Sequence, residues 1–177
     1  KENNPVINQK LREVSVEDGM EIATELFNIL NERKDGIGLA ANQIGIDAAV
    51  AVLNVREPII LINPVIKEQW DEIDYYEGCL SYPKKRFHTK RYKNIIVKSA
   101  HLESGMYFSG AESSKGKGSW ETAAKHDQEE RLLEAVCVQH EIDHLMGKTI
   151  HDREKRLLPV KNDYKRYGRN EIVGITD

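Results

Sequence analysis

Gln139-His140-Glu141-Ile142-Asp143-His144 is the stretch on which the reading of this chain turns. Two histidines four apart, with a glutamate directly after the first, are what a metal hydrolase presents from one helix. At about 100° per residue, His140 and His144 lie roughly 40° apart around a helix, so both imidazoles can reach one cation. Glu141 falls near the edge of that face, where its carboxylate can touch a metal-bound water without ligating the metal. Counted back along the same helix, Leu133 and Cys137 share the histidines' face. Such a stripe faces a core, and a lone histidine on it would read as a satisfied core residue. The pair with its glutamate reads as a metal site, which needs a third ligand and a substrate-holding group from elsewhere in the chain.

The chain as a whole is compatible with this. Its 177 residues suit one domain, 1–177, large enough to bury a real core. The formal net charge of −3 gives no global attraction for DNA or other nucleic acid. No apolar run approaches the length of a membrane span. The N-terminal Lys1-Glu2-Asn3-Asn4 is polar, with no signal-peptide core behind it. The chain starts without Met, as it would after removal of a tag or a transit segment. Cys79 and Cys137 are too few for a disulfide scaffold. One of them as a ligand and a reducing compartment would fit together.

Working outward from the helix, Asn4 to Ile7 reads as an extended arm. Ser15 or Asp18 caps a helix from about Met20 to Arg33, with Ile22, Leu26, Ile29 and Leu30 on its apolar face. Gly36-Ile37-Gly38-Leu39-Ala40-Ala41 matches the loose dinucleotide pattern, but a helix precedes it where that fingerprint needs a strand. Its small residues instead let backbone pass close to something, and Gln43 supplies a neutral donor there. Strands are expected over Ala48–Asn54 and Ile59–Ile62, then a further strand and a turn within Val65–Tyr76.

Glu77-Gly78-Cys79-Leu80-Ser81 is the second special stretch. As a ligand, Cys79 would give a His2Cys set with an open fourth position, the pattern of a catalytic rather than a structural site. The basic run Lys84–Arg91 reads as a solvated face from which Arg86 or Arg91 could meet a substrate. Asn94–Ala100 is a strand, and Met106–Phe108 pairs back on it. Residues 109–125 form a flexible polar loop. Asp127-Gln128-Glu129-Glu130 resembles a capping box that starts the metal helix, and Gly147 ends it. The tail, 151–177, is charged and interrupted by Pro159.

Gly36 to Gln43, Glu77 to Ser81 and Gln139 to Leu145 together resemble the three signature motifs of the peptide deformylases, in that family's order and spacing. The resemblance implies an α+β fold, with antiparallel and mixed β-sheets around a central metal-binding helix. It implies Fe2+ as the metal in the cell, with Zn2+, Ni2+ or Co2+ able to occupy the site. Cys79, His140 and His144 are the implied ligands and Glu141 the implied general base. Gln43 and the Leu80 N–H are the implied donors to the formyl oxygen. Gly38 lies beside the substrate, Arg86 near the peptide, and Ile37, Leu133, Val136 and Cys137 line the pocket for the methionine side chain. Two departures stand out: Asn42, where proline or threonine is more usual, and the long 109–125 loop.

The implied substrates are N-formyl-methionyl peptides of nascent chains, with transient ribosome proximity and no DNA or membrane partner. The implied setting is the cytoplasm of a bacterium or phage-infected bacterium, or a plastid or mitochondrion if a transit segment was removed. A zinc endopeptidase is the competing reading. The metzincin form of the motif puts a third histidine at position 150, which is Ile150, and no methionine after Met146 makes a Met-turn. A non-catalytic metal- or peptide-binding domain would have no use for both Glu141 and Gln43.

Overall fold

The computed structural model describes residues 5–34, 36–78, 86–110 and 120–153. A short 3-10 helix, Pro5–Asn8, takes the place of the expected extended arm. Helix α1 spans Val16–Glu32. Ser15 caps it, its hydroxyl accepting from the Asp18 N–H at 3.1 Å. Ala23, Leu26 and Leu30 are its fully buried apolar residues. They pack on Val50 and Val52 in one hydrophobic cluster.

Two antiparallel three-stranded sheets follow. The first contains β1 (Gly38–Ala40), β2 (Val50–Asn54) and β3 (Pro58–Ile62), with β2 in the middle. The glycine-rich stretch read as a close-passing loop is therefore an edge strand, Gly38 opposite Leu53 and Ala40 opposite Ala51. It runs straight into a 3-10 turn, Ala41–Ile44, closed by Gly45 at φ +83°.

The second sheet contains β4 (Val65–Gly78), β5 (Arg86–Lys98) and β6 (Met106–Ser109). The turn expected within Val65–Tyr76 is absent. That segment is one long strand with a bulge between Ile66 and Glu68 and a left-handed Asp71 at φ +57°. A bulge absorbs the break in apolar alternation without ending the strand. β5 takes in part of the basic run, because Phe87, Thr89 and Arg91 alternate inward there while Arg86 and Lys90 face out.

Helix α2, Trp120–Leu145, begins well before the apparent capping box. Nothing between Trp120 and Asp127 breaks a helix, so the local box is overridden. Asp127 makes an i,i+4 pair with Arg131 and reaches Arg56. Gly147, at φ +73°, follows the helix as expected. A Cβ there would meet the Gln9 backbone at 2.6 Å, so the N-terminal arm crosses the helix end at a point only glycine allows. A short helix, α3, covers Ile150–Arg153. The carboxyl half of α2 packs between the two sheets: Ala135, Val136, Cys137, Val138, Ile142 and Leu145 join Leu53, Leu61, Ile95 and Val97 in the main core. No helix among the described residues is long and apolar enough to cross a membrane.

Candidate active site

His140 and His144 are 2% and 1% exposed, and their Nε2 atoms lie 3.1 Å apart. Two imidazoles bonded to one ion at about 2.0–2.1 Å in tetrahedral geometry have nitrogens about 3.3 Å apart. The ring planes are nearly perpendicular, at 75°. Two nitrogens held so close in the interior fit the two corners of a cation site. The deciding question is which nitrogen of His140 carries the proton.

Glu77 answers it. This carboxylate is fully buried, and its Oε1 lies 3.0 Å from His140 Nδ1. It also accepts from Arg91 Nε at 2.8 Å and Nη2 at 2.9 Å, and from the Thr89 hydroxyl. Burial alone would raise its pKa, but the Arg91 charge and the bonds from His140 and Arg91 outweigh that and hold it at about 2. Glu77 is thus an ionised acceptor, so His140 donates from Nδ1 and keeps its Nε2 lone pair for an electrophile. The same bond raises the basicity of His140 against the opposing effect of burial. The chain of charges continues outward: Arg91 Nη1 bonds Asp143 at 2.6 Å, and Arg153 Nη2 bonds it at 2.7 Å. Arg91, 2% exposed, is therefore a structural ion-pair partner and not a substrate-facing arginine.

Gln139 fixes the helix to the second sheet. Its side-chain oxygen accepts from the Tyr92 N–H at 2.9 Å and its amide donates to the Tyr92 carbonyl at 2.8 Å. The amide thereby pairs with β5 as a strand residue would. Residues of one motif thus anchor the helix (Gln139), face the partner imidazole (His140) and tie to Arg91 (Asp143).

Glu141 is fully buried beside β1. A Cβ on Gly38 would fall 2.5 Å from Glu141 Oε1 and 3.1 Å from Cys137 Sγ, so the three residues converge. Gln43, in the turn after β1, accepts from the Ala40 N–H at 2.8 Å through Oε1. That bond fixes which end of the amide is which. Its Nε2 is buried and has no hydrogen-bond partner among the described residues. A buried donor without a partner costs on the order of 1–3 kcal/mol, which a bound acceptor would recover.

Ile37, Leu133, Val136 and Cys137 belong to or pack against the main core cluster. Burial pushes the Cys137 thiol well up, with Glu141 nearby adding to it, so this buried cysteine stays a neutral thiol. Arg86 is exposed at the start of β5, opposite Gly78. Cys79 and Leu80 lie outside the described residues, as do 111–119 of the stretch read as a 109–125 loop and the tail beyond Arg153; Ser109 belongs to β6 and 120–125 to α2, not to a loop. Among the described residues no group of three metal-ligating side chains forms.

Polypeptide deformylase is the family whose sequence model matches, over residues 1–159. The chain belongs to the peptide deformylase family. The peptide deformylase of Wigglesworthia glossinidia brevipalpis is 32% identical over 164 residues, covering 88% of this chain and 93% of that one. The deformylase from the Vibrio parahaemolyticus bacteriophage VP16T, solved with actinonin, superposes with a TM-score of 0.61 at 30% identity, covering 84% and 96% of the two chains. A peptide deformylase from Legionella pneumophila gives 0.63 at 25% identity, covering 88% and 83%. The α+β architecture with antiparallel sheets is that of these structures. The deformylase removes the N-formyl group from newly made polypeptides, and the family is metal-dependent.

The residues around the site that sequence reading left without a role are Glu77, Asp143, Gln139 and Asn42; Arg91, read there as a candidate substrate contact, is instead an ion-pair partner. Glu77 carried one signal: it is the carboxylate that opens the second special stretch, Glu77 to Ser81.

Proposed function

We propose that Cys79, His140 and His144 hold one divalent metal ion on which this deformylase acts. The single observation that supports it most is the pair of buried Nε2 atoms 3.1 Å apart, with Glu77 behind His140 fixing the tautomer. A divalent ion held by these three side chains would supply Lewis acidity, making a water acidic enough to serve as the nucleophile. Glu141 takes a proton from the attacking water as its oxygen bonds to the formyl carbon, and passes that proton to the nitrogen as the C–N bond breaks, because a neutral amine leaves far better than an amide anion. Gln43 Nε2 and the Leu80 N–H donate to the formyl oxygen as negative charge grows on it.

Ile37, Leu133, Val136 and Cys137 surround the methionine side chain, Gly38 lets the substrate backbone approach, and Arg86 meets the peptide beyond it. A thiolate beside two imidazoles suits Fe2+ in the cell and accepts Zn2+, Ni2+ or Co2+. The enzyme works near the ribosome, as one catalytic domain, in a bacterial or phage-infected cytoplasm or in an organelle of bacterial descent.

Formate release from a formyl-Met peptide, run beside cleavage of an internal peptide bond, tests this reading. Metal-loaded Glu141→Ala is expected to retain its ion and lose turnover. Wild-type rates in that variant would remove Glu141 as the base. Cleavage of the internal bond in place of formate release would favour an endopeptidase.

A further inference from the structure

Asn42 sits in the 3-10 turn Ala41–Ile44, next to Gln43, and is fully buried. Its Nδ2 donates to the carbonyl oxygen of His144 at 3.0 Å, across 102 positions of sequence. That carbonyl lies in the last turn of α2, where helix oxygens lack an intrahelical partner. The Gly147 N–H also reaches it, at 3.0 Å, and the Leu11 N–H reaches the next carbonyl, that of Leu145, at 2.9 Å. Asn42 Oδ1 is buried with no hydrogen-bond partner among the described residues. Among the described residues it therefore carries an uncompensated acceptor while its donor makes one bond, to a histidine's own peptide unit. A small apolar side chain would avoid that cost.

The arrangement connects two functional side chains through adjacent residues. Gln43 Oε1 is fixed by Ala40, and Asn42 is fixed to His144, so the turn that aims the Gln43 donor is bolted to the helix turn that aims the His144 ring. We infer that Asn42 is a positioning residue that sets the Gln43 donor and the His144 ring in register with each other. This rests on the reading of Gln43 as the donor to the formyl oxygen and of His144 as a metal ligand. It acts in the transition state more than in substrate binding, because the charge Gln43 meets develops only there.

The test uses the cobalt(II)-loaded enzyme and the variants Asn42→Ala and Asn42→Asp; the second keeps the side-chain shape and lacks the donor. Both are expected to lower kcat about 10-fold or more with KM changed less than about twofold. Both are also expected to shift the visible absorption of bound cobalt, which reports ligand geometry without turnover. In a Gln43→Ala background, Asn42→Ala should cost less kcat than in the wild type, because one of the two groups it positions is gone. If Asn42→Ala does not fold, Asn42→Asp carries the same comparisons. Folded variants with wild-type kcat and an unshifted cobalt spectrum overturn the inference, even if their melting temperature falls. An undiminished kcat loss in the Gln43→Ala background overturns it too. A wild-type enzyme that neither binds cobalt nor releases formate defeats the underlying metal-site reading and this inference with it. An active wild type with indifferent Asn42 variants defeats this inference alone.

Discussion

Gly38 and Glu141 stand so close that a single methyl group on Gly38 would lie 2.5 Å from the Glu141 Oε1 and 3.0 Å from its Cδ. At Gly38, β1 and α2 approach so closely that even a methyl group requires the Glu141 side chain to move. The obstructed atom is the far end of a side chain, so Gly38→Ala can fold by pushing the carboxylate aside. That displacement moves the proposed general base. A misplacement of about 1 Å costs on the order of 10²-fold in rate. We predict kcat for Gly38→Ala lower by about that factor with full metal content, checked by formate release and metal analysis on the same preparation.

Gln43 offers a sharper chemical test, because the Ala40 N–H already fixes its oxygen. Gln43→Glu keeps that acceptor and replaces the buried Nε2 with an oxygen. Gln43→Ala removes both. Each variant loses the donor, so each should lose about 10²–10³ in kcat. Gln43→Glu should be no better than Gln43→Ala, because a second oxygen would face the developing negative charge. Steady-state kinetics on a formyl-Met peptide distinguishes this from a role in binding, which would appear in KM.

Glu77 holds His140 and Arg91 together in the interior. Glu77→Ala leaves the Arg91 guanidinium buried with Asp143 as its remaining carboxylate partner among the described residues. Breaking a buried pair on one side costs about 3–5 kcal/mol. Loss of a group that orients a ligating histidine typically lowers metal affinity 10–100-fold. A lower denaturation midpoint together with faster loss of metal to a chelator is the expected result.

Much of this was legible in the sequence, and what was not has a common cause. The His140–His144 spacing, the Ser15 cap and the Gly147 stop are local patterns, and local physics decides them. Glu77, Arg91 and Asp143 were illegible as a set because their pairing joins β4, β5 and α2 across 14 to 52 positions. Arg91 looked like part of a solvated basic run, since period-two alternation buries it only once the strand extends past Lys90. The start of α2 was misplaced because an apparent capping box is weaker than continuous helix-forming sequence on both sides. Asn42 looked incidental, because its partner is a backbone carbonyl that no side-chain motif records.

Glu134 gives a pH prediction away from the proposed metal ligands. It is 7% exposed, and its Oε2 lacks a hydrogen-bond partner among the described residues. Burial raises its pKa; the Arg56 charge and peptide N–H pull it down, Glu57 adds to the rise and Arg131 opposes it. A raised folded-state value means the fold holds this proton more tightly than the unfolded chain does. The associated stability is present below the ordinary carboxyl range and lost as pH rises through the raised value. At pH 7 the wild type therefore carries a penalty that the neutral amide of Glu134→Gln removes. Urea midpoints should favour the variant at pH 7 and converge below about pH 4. A gap that widens toward acid would reverse the sign assigned here.

The most direct measurement of the metal site is X-ray absorption at the zinc edge on protein loaded with one zinc under reducing conditions. We predict one sulfur at about 2.3 Å and two imidazole nitrogens at about 2.0–2.1 Å, with the sulfur lost in Cys79→Ala. A wild-type shell of nitrogen and oxygen alone would contradict the assignment of Cys79, His140 and His144 as the ligands of this deformylase.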